Sequence, residues 1–125
     1  MDLIDYVIII LKIIIGISIL NVWLIQSKKT TKWRGGNAKN IIEEFEIYGL
    51  SKPFCYFIGF LKVSLALLLL ASIQFEDFAL IGSLGLAILL FGSIIMHIKV
   101  KDKLYKSFPA FLFILMNLVI AYTSI

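Results

Sequence analysis

Four apolar blocks, Ile4–Ile25, Phe54–Ile73, Phe78–Ile98 and Phe108–Ile125, alternate with polar connections along the chain. Each runs for about 18–22 residues, enough to cross a hydrocarbon core of roughly 30 Å as a helix. The pattern predicts helices over about 4–25, 54–73, 78–98 and 108–125. Gln74–Asp77 is too tight to let its flanking helices separate, so the second and third are predicted to be antiparallel neighbours. Val100–Ser107 is also short, and Pro109 is tolerated in the first turn of the fourth helix. The expected fold class is all-α: a polytopic membrane protein of four transmembrane helices in an antiparallel bundle, one domain over residues 1–125.

The long connection, Gln26–Lys52, carries a pattern of its own. Lys28 to Asn37 is polar and basic, with Gly35-Gly36 as an expected flexible point. Asn40 then reads as an N-cap with Glu43 three residues on, and Gly49 as a C-terminal stop. At 100° per residue, Ile41, Ile42, Phe45 and Tyr48 share one face, with Glu43 and Glu46 opposite. This predicts a short amphipathic helix over about 40–48, lying on the membrane surface or against the bundle. Ser51 is the expected cap of the second membrane helix, with Pro53 in its first turn.

Charge adds a direction. Of the 12 basic residues, all but Lys12 and Lys62 lie in two connections. Lys28, Lys29, Lys32, Arg34, Lys39 and Lys52 precede the second block, and Lys99, Lys101, Lys103 and Lys106 join the third to the fourth. Gln74–Asp77 and the N-terminal tip, with Asp2 and Asp5, have none. Both basic connections are therefore expected in the cytoplasm and both termini outside, in a bacterial inner membrane. The net charge of +4 follows from residues beside helix ends, where anionic headgroups attract them, so no nucleic-acid partner is implied. A 61% hydrophobic content and a mean hydropathy of +1.01 exclude a soluble domain of this size. The first block is expected to stay uncleaved, because its flank is acidic, its apolar run is long and no small-residue cleavage site follows. Cys55 is the only cysteine, which excludes a self-contained dithiol couple, and no metal-ligand spacing is present.

Contacts between helices in lipid are marked by small and polar residues, because lipid is as apolar as leucine. On the second helix Cys55, Gly59, Lys62 and Ala66 share a face; on the third Gly82, Gly85, Gly92 and Met96, flanked by Ser93 and His97. Ala110, Asn117, Ala121 and Ser124 align on the fourth, and Asp5, Lys12, Gly16 and Trp23 on the first. Gly59, Ala66, Gly82, Gly85, Gly92, Ala110 and Ala121 are thus the candidate packing positions.

Ionisable residues inside a membrane are costly and mark candidate sites. Lys12 is expected to snorkel outward toward Asp5, two turns away on the same face. Lys62 stands about nine residues beyond Pro53, roughly 13–14 Å along the axis and near the midplane. No Asp or Glu in any block can pair with it; Asn117, at similar depth on the fourth helix, is the expected partner. Lys62 is either a polar tie within the bundle or part of a ligand site. His97, beside Lys99 at a helix end, either satisfies that end or joins the site. The ligand-binding candidates are Lys62, Asn117, His97 and Lys12.

Several of these residues fall in a recognisable order. Arg34-Gly35-Gly36-Asn37-Ala38-Lys39-Asn40, Glu43-Glu44-Phe45 and Tyr48-Gly49-Leu50 resemble the first-loop motif of DoxX-like membrane proteins. Gly59-Phe60-Leu61-Lys62-Val63, Met96-His97-Ile98-Lys99-Val100-Lys101-Asp102 and Lys106-Ser107-Phe108-Pro109-Ala110 continue the resemblance, from about Arg34 to Ala110. It implies a four-helix membrane fold and marks Lys62 and His97 as motif positions. The family name derives from a subunit associated with thiosulfate:quinone oxidoreduction. Many related sequences carry glutamate where this chain has Lys62.

With no nucleophile–base pair, paired carboxylates, dithiol, haem-ligating pair or phosphate loop, the leading expectation is a non-enzymatic accessory membrane protein. It would bind a hydrophobic small molecule or a membrane partner. The alternative is a subunit of a quinone-linked oxidoreductase, with quinone as cofactor held by Lys62, Asn117 and His97 and a membrane redox subunit as partner. A small transporter acting as a homo-oligomer is the third reading.

Overall fold

In the computed structural model, which describes residues 2–125, each predicted apolar block is a helix. Helix α1 (Leu3–Leu20) opens on a reciprocal cap: Asp2 accepts from the Asp5 backbone N–H, and Asp5 accepts from that of Asp2. Its far end widens into a π-helical turn over Asn21–Ile25, which carries Trp23. Helix α3 (Lys52–Ala71) starts at Ser51, whose Oγ accepts from the Phe54 N–H, with Pro53 in its first turn. Helix α4 spans Ala79–Lys99, and α5 spans Phe108–Thr123 with Pro109 near its start. With their short flanking turns, these four are long and apolar enough to cross a membrane.

The short helix forms where the periodicity predicts. Helix α2 (Ile41–Ile47) is capped by Asn40, whose Oδ1 accepts from the Glu43 N–H at 2.8 Å. It ends at Gly49, whose φ of +83° permits the reversal. The Leu50 N–H closes on the Phe45 carbonyl and the Gly49 N–H on that of Glu46, a Schellman ending. Ile41 and Phe45 are buried against Cys55, with Trp23, Leu50 and Ile58 around them, so the apolar face docks on the bundle.

Close approaches give the register. A Cβ on Gly16 would strike Leu70, one on Gly59 the Trp23 ring, and Lys12 reaches Ser72, so α1 and α3 run in opposite directions. Gly82 faces the Leu69 backbone and Gly85 the Leu65 side chain, which sets α3 and α4 opposed as well. At Gly82 the nearest atoms to a Cβ would be Leu69 N and Cα at 3.2 and 3.3 Å, so a side chain there would push these backbones apart by a few tenths of an ångström. Ile15, Ala66, Leu69, Leu86 and Ile120 are fully buried at the centre, while Phe60, Ile88 and Tyr122 stand exposed on the outside. So large an exposed apolar surface fits a bilayer rather than water.

Both basic connections lie at one end of the bundle. Lys106, between α4 and α5, donates to the Gly36 carbonyl of the long connection at 2.7 Å.

Candidate functional site

At that end the long connection folds over the helices and is held by two carboxylates. Glu44 of α2 accepts from the Gly35 N–H at 2.6 Å and from the Tyr48 hydroxyl at 3.0 Å, and pairs with Arg34 at 3.5 Å. Arg34 also donates to the Gln26 carbonyl at 2.7 Å and to Lys29, tying the end of the first span to the loop. Asp102 accepts from the Gly36 N–H at 3.0 Å and stands 2.7 Å from His97 Nδ1 and 3.7 Å from Lys106 Nζ. An ionised carboxylate can only accept, so His97 Nδ1 carries the shared proton. Lys99 donates to the Tyr48 carbonyl, fastening the end of α2 to the end of α4.

Gly35-Gly36 is therefore a clamped dipeptide, not the flexible point that its composition suggests. A Cβ on Gly35 would enter the Tyr48 ring, and Gly36 has a φ of +54°. Four hydrogen bonds and a buried aromatic hold it in place.

These charges act on one another. Burial alone would raise the Asp102 carboxyl, but the hydrogen bonds from His97 and Gly36 and the charge of Lys106 outweigh it and hold it below the usual carboxylate range. Burial, and then the Glu44 carboxylate, push the Tyr48 phenol up, so Tyr48 stays a neutral donor.

Beneath this cover lies a cavity of about 300 Å³, open to the outside where Ile88 and Phe54 stand exposed. Aliphatic and aromatic side chains make most of its wall, among them Trp23, Phe45, Phe54, Ile58, Ile88 and Leu89. Its polar atoms come from Arg34, Glu44, Tyr48, Ser93, His97 and Lys62. A second cavity of about 370 Å³, between the loop and α1, α4 and α5, shares Val22, Arg34, Glu44, Ser93 and His97 with the first. Those residues form a partition between a mainly apolar chamber and a more polar one.

Lys62 is only 8% exposed and opens on the first cavity. Its Nζ donates to Ser93 Oγ at 3.2 Å and sits 5.6 Å from the centre of the Trp23 ring. Asn117 is not its hydrogen-bonding partner. Asn117 donates instead to the Phe113 carbonyl of its own helix, and its Oδ1 is buried without a partner. Equal depth does not bring side chains together when their helices are not packed neighbours: α3 packs on α1 and α4, and α5 on α4 and α1.

Lys12 also finds another partner than the one expected. It leans toward the predicted end of its helix, but Asp5 is occupied in the N-terminal cap. Fully buried, Lys12 donates to the Ser72 carbonyl at 3.2 Å and pairs with Glu76 at 3.4 Å, where a cation meets the C-terminus of α3. Lys62 and His97 thus share the first cavity, and neither Lys12 nor Asn117 is among the residues that line it.

Among the small residues, Gly59, Ala66, Gly82 and Ala121 are buried and Gly85 and Ala110 half-buried. Gly92 does not pack against a helix: a Cβ there would meet nothing within 4 Å, because this glycine borders the cavity. Trp23 and Ser93 hold Lys62 in place. Both stand on the stripes read from the sequence or beside them, but nothing in the sequence links them to this lysine. Asp102 and the Arg34–Glu44 pair carry the clamp, and their contacts span the loop, where periodicity has no reach.

The matched family covers these elements. The model of the DoxX-like family matches residues 31–120. The chain belongs to the DoxX-like family. Neither the curated proteins nor the solved structures offer a match to it. In this DoxX-like protein the matched span takes in the clamp, α2 and both lysine-facing walls of α3 and α4. The first span, which supplies Trp23, lies before it. Family membership and four apolar helices make this DoxX-like chain a multi-pass membrane protein.

Proposed function

We propose that this DoxX-like protein is an accessory membrane protein that binds an amphiphilic small molecule in the cavity under the clamped loop. The observation that carries this reading is the cavity itself, an apolar chamber at the lower end of the size range of ligand pockets, with a few converging polar groups. A polar interior position is costly in a membrane, and a ligand head at Lys62 and Ser93 accounts for that cost. We place both basic connections in the cytoplasm and both termini outside, in a bacterial inner membrane, on the charge asymmetry of the connections. A quinone is the second reading, because Lys62 Nζ is a suitable donor to a carbonyl oxygen and aromatic walls suit a ring. A bound quinone would supply electron transfer, with electrons coming from a partner subunit in the membrane.

Gly92 provides the test. Gly92→Leu grows into the cavity, where no atom opposes its Cβ, and removes a glycine from a helix interior at a gain of about 1 kcal/mol. The variant should fold at least as well as the wild type. Mass spectrometry of protein extracted from native membranes should find a co-purified small molecule with the wild type and none with Gly92→Leu. Equal amounts from both, or none from the wild type, would reject the reading.

A further inference from the structure

The charges around the cavity do not balance. Arg34 and Glu44 neutralise each other, and Glu44 is further engaged by the Gly35 N–H and the Tyr48 hydroxyl. His97 has Asp102. Lys62 alone, among the described residues that line the chamber, carries a formal charge without an ion-pair partner. Its protein contacts are one hydroxyl and the face of one indole. An ammonium has three donors; Ser93 Oγ takes one, and the others are available to an acceptor inside the chamber. Ser93 can add a further donor, because its hydroxyl bond to the Leu89 carbonyl is long at 3.4 Å and easily exchanged.

Resting on the reading of the cavity as an amphiphile site, we infer that its ligand is a compact lipophilic carboxylate. The carboxylate accepts from Lys62 Nζ and Ser93 Oγ, and the hydrocarbon body lies against Ile58, Ile88, Leu89 and Phe54. A volume of about 300 Å³ suits a medium-chain acid and not a whole phospholipid. A neutral carbonyl would satisfy a donor but leave the positive charge uncompensated in a low-dielectric site.

Trp23 reports on the chamber directly. In a Trp33→Phe background it is the sole tryptophan. The purified full chain in neutral maltoside micelles is titrated with 2-bromodecanoate and with 2-bromodecanol, whose bromine lies beside the head group and so beside Trp23, and saturable quenching of Trp23 is followed. The acid should bind at least about tenfold tighter than the alcohol, the worth of one charge-assisted hydrogen bond. Lys62→Gln should abolish that preference, and Lys62→Arg should keep it. Equal binding of acid and alcohol, blocked by Gly92→Leu, would overturn the carboxylate while leaving amphiphile binding intact. A preference that survives in Lys62→Gln would also overturn it. No saturable quenching by either compound would remove the carboxylate and the amphiphile site together.

Discussion

Lys101 ends α4 in a conformation that lysine seldom adopts, with φ at +59°. The Lys101 N–H closes on the Ile98 carbonyl and the Asp102 N–H on that of His97, the same Schellman ending that Gly49 gives α2. This reversal swings Asp102 back onto the His97 ring. Gly49 is legible in the sequence because glycine marks such endings; Lys101 is not, because its side chain hides the role. The Asp102 contact network should make the protein acid-sensitive in a defined window. A carboxyl held below its unfolded value contributes stability that is complete above the unfolded pKa, about 3.9, and is lost as pH falls through the folded one. Asp102→Ala should therefore lower stability by about 1–3 kcal/mol near neutrality, leaving the Gly36 N–H and the His97 Nδ1–H without their acceptor. The gap between wild type and variant should narrow below about pH 4. Thermal unfolding in detergent from pH 7 to 3 measures it, and a gap constant across that range would show that the carboxylate charge contributes nothing.

Helix α2 has only seven residues, too few to persist without tertiary contacts. Its stability therefore comes from docking. Phe45 meets Trp23 edge-on at 6.0 Å between ring centres and neighbours Tyr48 and Phe54, so one side chain joins the loop, α1 and α3. Phe45→Asp should cost at least about 3 kcal/mol, from lost packing and a buried unpaired charge. Glu46→Lys on the exposed face should cost less than about 0.5 kcal/mol. The yield of monodisperse protein after detergent extraction compares the two, and equal losses would mean that α2 does not dock. The helix and its apolar face were legible at 100° per residue. Its docking partner was not, because bilayer and bundle present the same apolar chemistry to a sequence. The small-residue stripes carry the same ambiguity: Gly82 marks a true close approach, whereas Gly92, on the same helix, borders empty space.

Across the whole molecule, hydropathy sets the four spans to within a few residues, because a bilayer imposes length directly. The clamp was beyond sequence reading for the opposite reason. Asp102 and Lys106 reach Gly36 across 66 and 70 positions, and no periodicity couples residues so far apart. Both connections that meet there are basic, and the opposite end carries Asp2, Asp5, Glu76 and Asp77. A bilayer that retains positive charge on its cytoplasmic side should fix the clamp inside the cell and the Lys12–Glu76 pair outside. Replacing the one native thiol, Cys55→Ser, gives a silent background for labelling. Thr30→Cys and Gln74→Cys then place single exposed thiols in the long connection and in the α3–α4 turn. A membrane-impermeant maleimide should label Gln74→Cys in intact cells and Thr30→Cys only after permeabilisation. The reverse pattern would invert the protein and put the cavity mouth, with its clamp, on the outer face. Labelling of both sites in intact cells would break the four-span topology itself, because an odd number of crossings must separate Thr30 from Gln74.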